Sequence, residues 1–458
     1  MSDVNDSGGK DNPSWSSGFT FILAAVGSAV GLGNIWKFPY VAGMNGGGAF
    51  LIVYVLSLIF VVAPILLGEL MIGRLGHPGP PIAMRRVARR FNLSTRWAAL
   101  GWLGMLIGFL VATFYCVVAG WTLAYVVEAW RGFGGERSSE EVFGNLLASP
   151  GRMIFWQSIF LLATLWIVKG GLNQGIERAV RFLMPALFLM LLLMIGYAAV
   201  EGDFRAGLDF LFSTDFSRID GSVVLAATGQ AFFSIGVGVG VMMAYGAYVP
   251  QSVSLGRSVL IIVGADTLVA VLAGLMIFPI VFANDLDPAQ GPGLVFVTMP
   301  TAFAQMPGGV IFGMLFFLLL AVAAITSVIA GTEPAVAYMQ ERWGWTRGIC
   351  CMVFGLLAWV LGLVTVFSFN IWADFTPLDS FKVFAGKTLF DLLDYIVINI
   401  MTPISGILIA LFVGWKINPE FLSNDLKLGH PWVLACWLFL LRFVVPVVVL
   451  AILIQGLS

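Results

Sequence analysis

Apolar residues fill about twenty positions at a time in eleven stretches, near 17–44, 48–73, 98–130, 152–169, 176–200, 220–248, 254–283, 308–340, 346–370, 388–415 and 431–456. They show neither the alternation of a half-buried strand nor the narrow stripe of a surface helix. Apolar character all round over that length predicts helices that cross a bilayer. Two stretches are broken from within. Gly27-Ser28-Ala29-Val30-Gly31-Leu32-Gly33-Asn34 places three glycines and an asparagine in the first, and Ser234-Ile235-Gly236-Val237-Gly238-Val239-Gly240 places three glycines in the sixth. Glycine costs a helix interior roughly 1 kcal/mol relative to alanine. Free backbone at membrane depth survives only where protein or a wet cavity surrounds it. Both helices are therefore expected to unwind at these points.

Composition agrees with an integral membrane protein: 59% hydrophobic, 11% charged, mean hydropathy +0.96. The lipid bilayer is its bulk partner, and a net charge of -1 gives no reason to expect nucleic acid. Charge is unevenly distributed. Arg74, Arg85, Arg86, Arg89, Arg90 and Arg96 follow the second stretch without an acid, and Lys169, Arg178, Arg181, Arg257, Arg342 and Arg347 fall on the same side. Asp203, Asp209, Asp215, Asp220, Asp285, Asp287, Asp374 and Asp379 fall on the other. The positive side faces the cytoplasm, which puts the N-terminus inside and, after an odd number of spans, the C-terminus outside. Met1 to Pro13 carry no basic-then-apolar signal pattern, and no outward loop holds an Asn-x-Ser/Thr acceptor, which fits a bacterial inner membrane. Cys116, Cys350, Cys351 and Cys436 lie in or beside apolar stretches and read as packing residues. The two histidines, His77 and His430, are in loops, so the chain offers no enzyme-like metal or nucleophile cluster. A channel would need a repeated pore-lining ring, which one pair of breaks does not supply.

The breaks lie five spans apart, so the two halves containing them would be inverted. Paired interrupted helices of this kind place a binding site at the midplane, as already described for transporters with inverted repeats. Exposed N–H groups there suit a carboxylate, and freed carbonyls suit sodium. Asn34 and Ser234 add side-chain oxygens. Two polar clusters in other spans could complete the set: Asp266 in Gly264-Ala265-Asp266-Thr267-Leu268, and the adjacent hydroxyls of Ala323-Ala324-Ile325-Thr326-Ser327. An intramembrane carboxylate is costly unless it is partnered.

Gly-Ser-Ala-Val-Gly-Leu-Gly-Asn-Ile-Trp-Lys-Phe-Pro at 27–39, Asn-Gly-Gly-Gly-Ala-Phe at 45–50 and Gln-Ala-Phe-Phe-Ser at 230–234 resemble the neurotransmitter:sodium symporter family, in its bacterial amino-acid branch. The resemblance implies an all-α membrane fold of eleven spans, with an inverted five-plus-five repeat and discontinuous helices 1 and 6. The segments would be a cytoplasmic N-terminal segment at 1–16, repeats at 17–201 and 202–415, and a loop with the eleventh helix at 416–458. It implies no enzyme activity. Two co-transported sodium ions would be held. The first would bind the Ala29 carbonyl, Asn34, Ser234, Asp266 and the substrate's own carboxylate. The second would bind carbonyls of Gly27, Val30 and Ala323 with the hydroxyls of Thr326 and Ser327.

The same resemblance puts the substrate against Ala29, Gly31, Ser234 and Gly236, its carboxylate on the N–H groups of Leu32 and Gly33 and on Tyr115, with Phe233 as cap. Val111, Phe233, Val239, Ser327 and Gly331 would line the side-chain subsite. Gly31 stands where amine-carrying relatives have an aspartate, so the substrate brings its own carboxylate. No charged residue aligns in the subsite, and Gly236 and Gly331 leave space in it. Tyr54, Gln230 and Ser234 match positions that hold chloride in animal relatives, but the Asp266 carboxylate supplies the negative charge and chloride is not expected. Lys37 and Asp394 would form the outer gate, and Trp15, Tyr248 and Glu341 the inner one. Asn12 replaces the usual N-terminal arginine of the inner gate, with Lys10 as a possible substitute. The expected function is sodium-coupled import of a neutral, hydrophobic amino acid by alternating access. A sodium-binding amino-acid sensor with little transport is the alternative.

Overall fold

The computed structural model describes residues 14–133, 137–291, 293–426, 428 and 430–456, and among these it contains helices and no strand. Among the described residues, nine helices are long and apolar enough to cross a membrane: Gly48–Leu75, Thr95–Arg131, Pro150–Lys169, Leu172–Glu201, Leu255–Ala283, Gly309–Trp343, Arg347–Phe367, Leu389–Lys416 and Pro431–Gly456. A tenth span is a bent pair, Gly18–Ala29 and Gly33–Met44, which turns by 46° at its break. The eleventh is also a pair, Gly221–Ile235 and Val241–Ala247, each part too short to span alone. Both interrupted spans are the two that glycine content marks in the sequence.

Packing follows the inverted repeat. The third span lies along the eighth and the fourth along the ninth, while both parts of the first span pack on the seventh and both parts of the sixth pack on the second. Exchanging the halves maps the third–eighth and fourth–ninth pairings onto themselves and turns the first–seventh pairing into the sixth–second. Glycine allows the closest approach. A Cβ on Gly73 in the second span would collide with the Met243 carbonyl oxygen, and one on Gly246 would come within 2.5 Å of the Leu70 carbonyl oxygen. The second span and the inner part of the sixth thus meet backbone to backbone, as small residues allow in lipid, where no hydrophobic force brings helices together.

The helix ends are tied down. Ser17 and Thr20 form a capping box at the start of the first span. Asp220 accepts from Ser222 N and Val223 N, both at 2.9 Å, at the start of the sixth. The Ser222 hydroxyl, 2.6 Å from the same oxygen, and these amides hold the Asp220 carboxyl below the usual carboxylate range. Arg74 ties the end of the second span to Asp425 at 3.0 Å and to the Val253 carbonyl at 3.1 Å.

Gly73→Ala should lower the melting temperature of detergent-solubilised protein, with overpacking worth roughly 1–3 kcal/mol. Gly229→Ala, whose Cβ would meet nothing within 4 Å, should leave it unchanged or raised. Equal behaviour of the two variants would contradict the backbone contact.

Candidate functional site

The two breaks need glycine for different physical reasons. In the sixth span Gly236, Gly238 and Gly240 take φ of +69°, +84° and +80°, a region side chains rarely enter. The loop they form is held by its neighbours: Gly238 N donates to Glu69 Oε1 at 3.2 Å, and Ser405 Oγ donates to the Gly238 carbonyl at 2.7 Å. In the first span the limit is space. A Cβ on Gly31 would collide with Ser327 Oγ and come within 2.8 Å of the Tyr115 hydroxyl; one on Gly33 would press on the Phe233 ring at 3.3 Å. Gln230 Nε2 donates to the Gly33 carbonyl at 2.7 Å, joining the breaks.

Between the breaks lies Asp266, fully buried. Its Oδ1 accepts from Asn34 Nδ2 at 2.8 Å and Ser234 Oγ at 2.6 Å, and its Oδ2 accepts from Tyr54 at 2.6 Å. Asn34 Oδ1 turns back to accept from Gly31 N at 3.3 Å. Four spans thereby converge on one carboxylate. Of the three positions matching a chloride site, Tyr54 and Ser234 donate to Asp266 directly. Gln230 turns to Gly33 and leaves its own Oε1 buried without a partner.

The second predicted ion set also comes together. Gly27 lies against Thr326, with a Cβ there 3.5 Å from Thr326 Cβ. Ser327 Oγ donates towards the Ser28 carbonyl at 3.4 Å and the Ala323 carbonyl at 3.2 Å, while Thr326 Oγ1 donates to the Ala323 carbonyl at 2.9 Å. Val30 is buried beside them. The fifth span closes this region through Met184, whose sulfur would meet a Gly27 Cβ at 2.9 Å. Pro185 lies inside that helix, which continues through it, and its first turn, Leu172–Glu177, is a π-helical turn around Gly175.

A cavity of about 90 Å³ opens next to both groups. Its wall holds Ala29, Gly31, Gly33, Val111, Tyr115, Phe233, Ser234, Gly236, Val239, Ser327 and Gly331, which is every expected substrate residue except Leu32. The Leu32 N–H donates to the Tyr115 hydroxyl at 2.9 Å, so two of the three groups expected to hold a carboxylate meet at one point. A Cβ on Gly236 would touch nothing within 4 Å, and one on Gly331 only the Gly108 carbonyl oxygen at 3.9 Å. The space is real at both.

The gates differ in detail from expectation. Lys37 and Asp394 make no ion pair within 4.0 Å. The Lys37 ammonium instead lies 4.2 Å from the centre of the Phe233 ring that caps the cavity. A point charge on a flexible stem can satisfy itself on an aromatic face where a guanidinium would fork onto the carboxylate. On the other side Trp15 is buried, donating Nε1–H to the Tyr245 carbonyl at 3.1 Å, with its ring edge-on to Tyr248. Tyr248 gives its hydroxyl to Glu333 at 2.8 Å, and Glu341 pairs with His77. Asn12 and Lys10 lie outside the described residues.

Glu333 escaped the sequence reading, and Arg347 was read there only as a charge on the positive side. Glu333 is fully buried and ion-paired with Arg347, whose Nη1 is 3.2 Å from Glu333 Oε1 and whose Nε donates to the Val168 carbonyl at 2.6 Å. The available signal was an acid in the eighth apolar stretch, eight residues before the proposed gate residue Glu341. Glu69, also fully buried, was missed in the same way. Gly31→Ala should weaken substrate binding while the protein still folds, a loss of about 5- to 150-fold in affinity from roughly 1–3 kcal/mol of overpacking; ligand-induced thermal stabilisation measures it, and unchanged affinity would contradict the contact with Ser327.

Comparison with known proteins gives one answer. The family model for the sodium:neurotransmitter symporter family matches residues 12–133 and 142–458. The chain is 35% identical over 444 residues to an uncharacterized sodium-dependent transporter, YhdH, of Bacillus subtilis (strain 168), covering 96% of each. It is 30% identical to an uncharacterized sodium-dependent transporter of Haemophilus influenzae, covering 98% of this chain and 99% of that one. A crystal structure of MhsT in complex with L-phenylalanine superposes with a TM-score of 0.88 at 37% identity, covering 97% of this chain and 100% of that one. With glycine-broken first and sixth spans, an inverted helical repeat and a match along nearly its whole length, this chain belongs to the sodium:neurotransmitter symporter family of sodium-dependent transporters.

Proposed function

We propose that the protein imports a neutral, hydrophobic amino acid together with two sodium ions, without chloride, across a bacterial inner membrane. The observation that carries this reading is one wall shared by two sites. Ala29 and Ser234 line the cavity, and Ser234 also donates to the Asp266 carboxylate. An amino acid whose carboxylate rests by Leu32 N–H and Tyr115 would face that wall and complete the first ion's ligands. Substrate and ion would then each raise the other's affinity, a coupling that is reciprocal by necessity.

The side-chain subsite supports an apolar substrate, because Val111, Phe233 and Val239 line it and no charged residue does. The open space at Gly236 and Gly331 favours a bulky one, and the related MhsT was crystallised with L-phenylalanine. Asp266 takes the role of chloride: Tyr54 and Ser234 already donate to it, so the site contains its own anion. The second ion, between Gly27, Val30, Ala323, Thr326 and Ser327, would join the first span to the eighth and hold the inner side closed. Trp15 seated on Tyr245 and Tyr248 is that closed side. Phe233 beneath Lys37 is the outer lid, with Asp394 drawing Lys37 away when it opens. The basic loop at 74–96 faces the cytoplasm, with the N-terminus inside and the C-terminus outside.

In proteoliposomes with an inward sodium gradient, labelled leucine, phenylalanine or tryptophan should accumulate. Replacing sodium with potassium should stop accumulation, and replacing chloride with gluconate should not. Substrate that binds without accumulating would favour a sensor, and uptake indifferent to sodium would refute both ion sites. Asp266→Asn removes the charge beside the first ion, and its sodium requirement for uptake should rise about ten-fold or more, since a unit charge at about 4 Å is worth up to ~4 kcal/mol at an effective dielectric of 20. Gly331→Val should cut tryptophan and phenylalanine uptake about ten-fold while sparing alanine, because added methyl groups in a pocket are worth roughly 1–3 kcal/mol each. An unchanged preference would remove Gly331 from the subsite.

A further inference from the structure

Away from the transport cavity, the ends of the fourth and fifth spans enclose a groove of about 1430 Å³. Three cations line it, Lys169, Arg178 and Arg181. The acid among them, Glu177, is turned inward, 3% exposed, and engaged with Ser16, with Asn173 at 3.0 Å and with Arg181 at 2.5 Å. Among the described residues no acid lies within ion-pair distance of Lys169 or Arg178. The groove has a second chemistry at its rim. Trp166 and Phe182 are 78% and 74% exposed, one on each span. Phe182 stands one helical turn beyond Arg178, so charge and aromatic ring share a face of the fifth span.

We infer that this groove is a binding site for an anionic phospholipid of the cytoplasmic leaflet, with the headgroup phosphate between Lys169 and Arg178 and an acyl chain against Trp166 and Phe182. Basic pockets between membrane helices on the inner side take such headgroups, and tryptophan prefers the interface. A soluble anion would match the cations and leave both aromatic rings uncovered. A zwitterionic lipid would cover the rings and bring no net charge. Only an anionic lipid answers both features. The assignment rests on the orientation proposed above and is independent of the transported substrate. The bound lipid would lie on the turn Leu172–Glu177, which holds Ser16 through Glu177 and so anchors the chain beside Trp15.

The test uses the full chain purified in detergent, titrated separately with phosphatidylglycerol, phosphatidylcholine and inorganic phosphate while the melting temperature is followed. Phosphatidylglycerol should raise it in a saturable way, and the other two should not. Lys169→Gln with Arg178→Gln should lose most of that rise, whereas Arg85→Gln with Arg89→Gln, in the other basic loop, should retain it. A rise that inorganic phosphate reproduces would make the site a free-anion site and overturn the proposal. So would a rise that survives in the Lys169/Arg178 pair or disappears equally in the Arg85/Arg89 pair. Should the Lys169/Arg178 pair fail to fold, Gln174→Glu places a negative charge at an exposed position lining the same groove. It should also diminish the rise, and a full rise in that variant would refute the assignment.

Discussion

A carboxylate in the middle of a bilayer is stable only when donors or a cation meet it, and the centre of this protein is arranged around that requirement. Asp266 draws a hydroxyl from the second span, an amide from the first and a hydroxyl from the sixth onto its two oxygens. Two of those donors, Asn34 and Ser234, stand in or beside the broken backbone that lines the cavity. The cost of burying one charge thus ties together the first, second, sixth and seventh spans.

The unwound segments illustrate how one residue type serves two physical ends. In the sixth span glycine is required by backbone conformation, since three positive φ angles fall within five residues. In the first it is required by proximity, since Ser327, Tyr115 and Phe233 crowd the positions where side chains would start. Both loops survive in hydrocarbon because other spans meet their polar atoms: Glu69 and Ser405 at one, Gln230 at the other.

Closure of the two ends also follows from small chemical differences. Lysine in place of a forked cation lets the Lys37 charge rest on the Phe233 ring in the cavity wall. Beside Tyr248 the buried acid Glu333 requires a cation, and Arg347 supplies it while reaching the Val168 carbonyl of the fourth span. Tyr248 is held by that pair, so the aromatic contact with Trp15 is anchored by an ionic one.

Eleven spans, the two broken helices and their inverted relation were legible in the sequence, because hydropathy over twenty residues and glycine clusters are properties of the chain itself. The cavity residues were legible too, through motifs whose spacing is local: Gly31, Gly33, Phe233, Ser234 and Ser327 lie in or next to the breaks and the hydroxyl pair. Pairings between distant spans were not. Nothing in the order of residues says that Glu341 meets His77, that Tyr248 chooses Glu333, that Lys37 turns to Phe233, or that Glu69 supports Gly238. Each side chain had several partners of suitable chemistry, and the packing of the helices decided which came within hydrogen-bond reach.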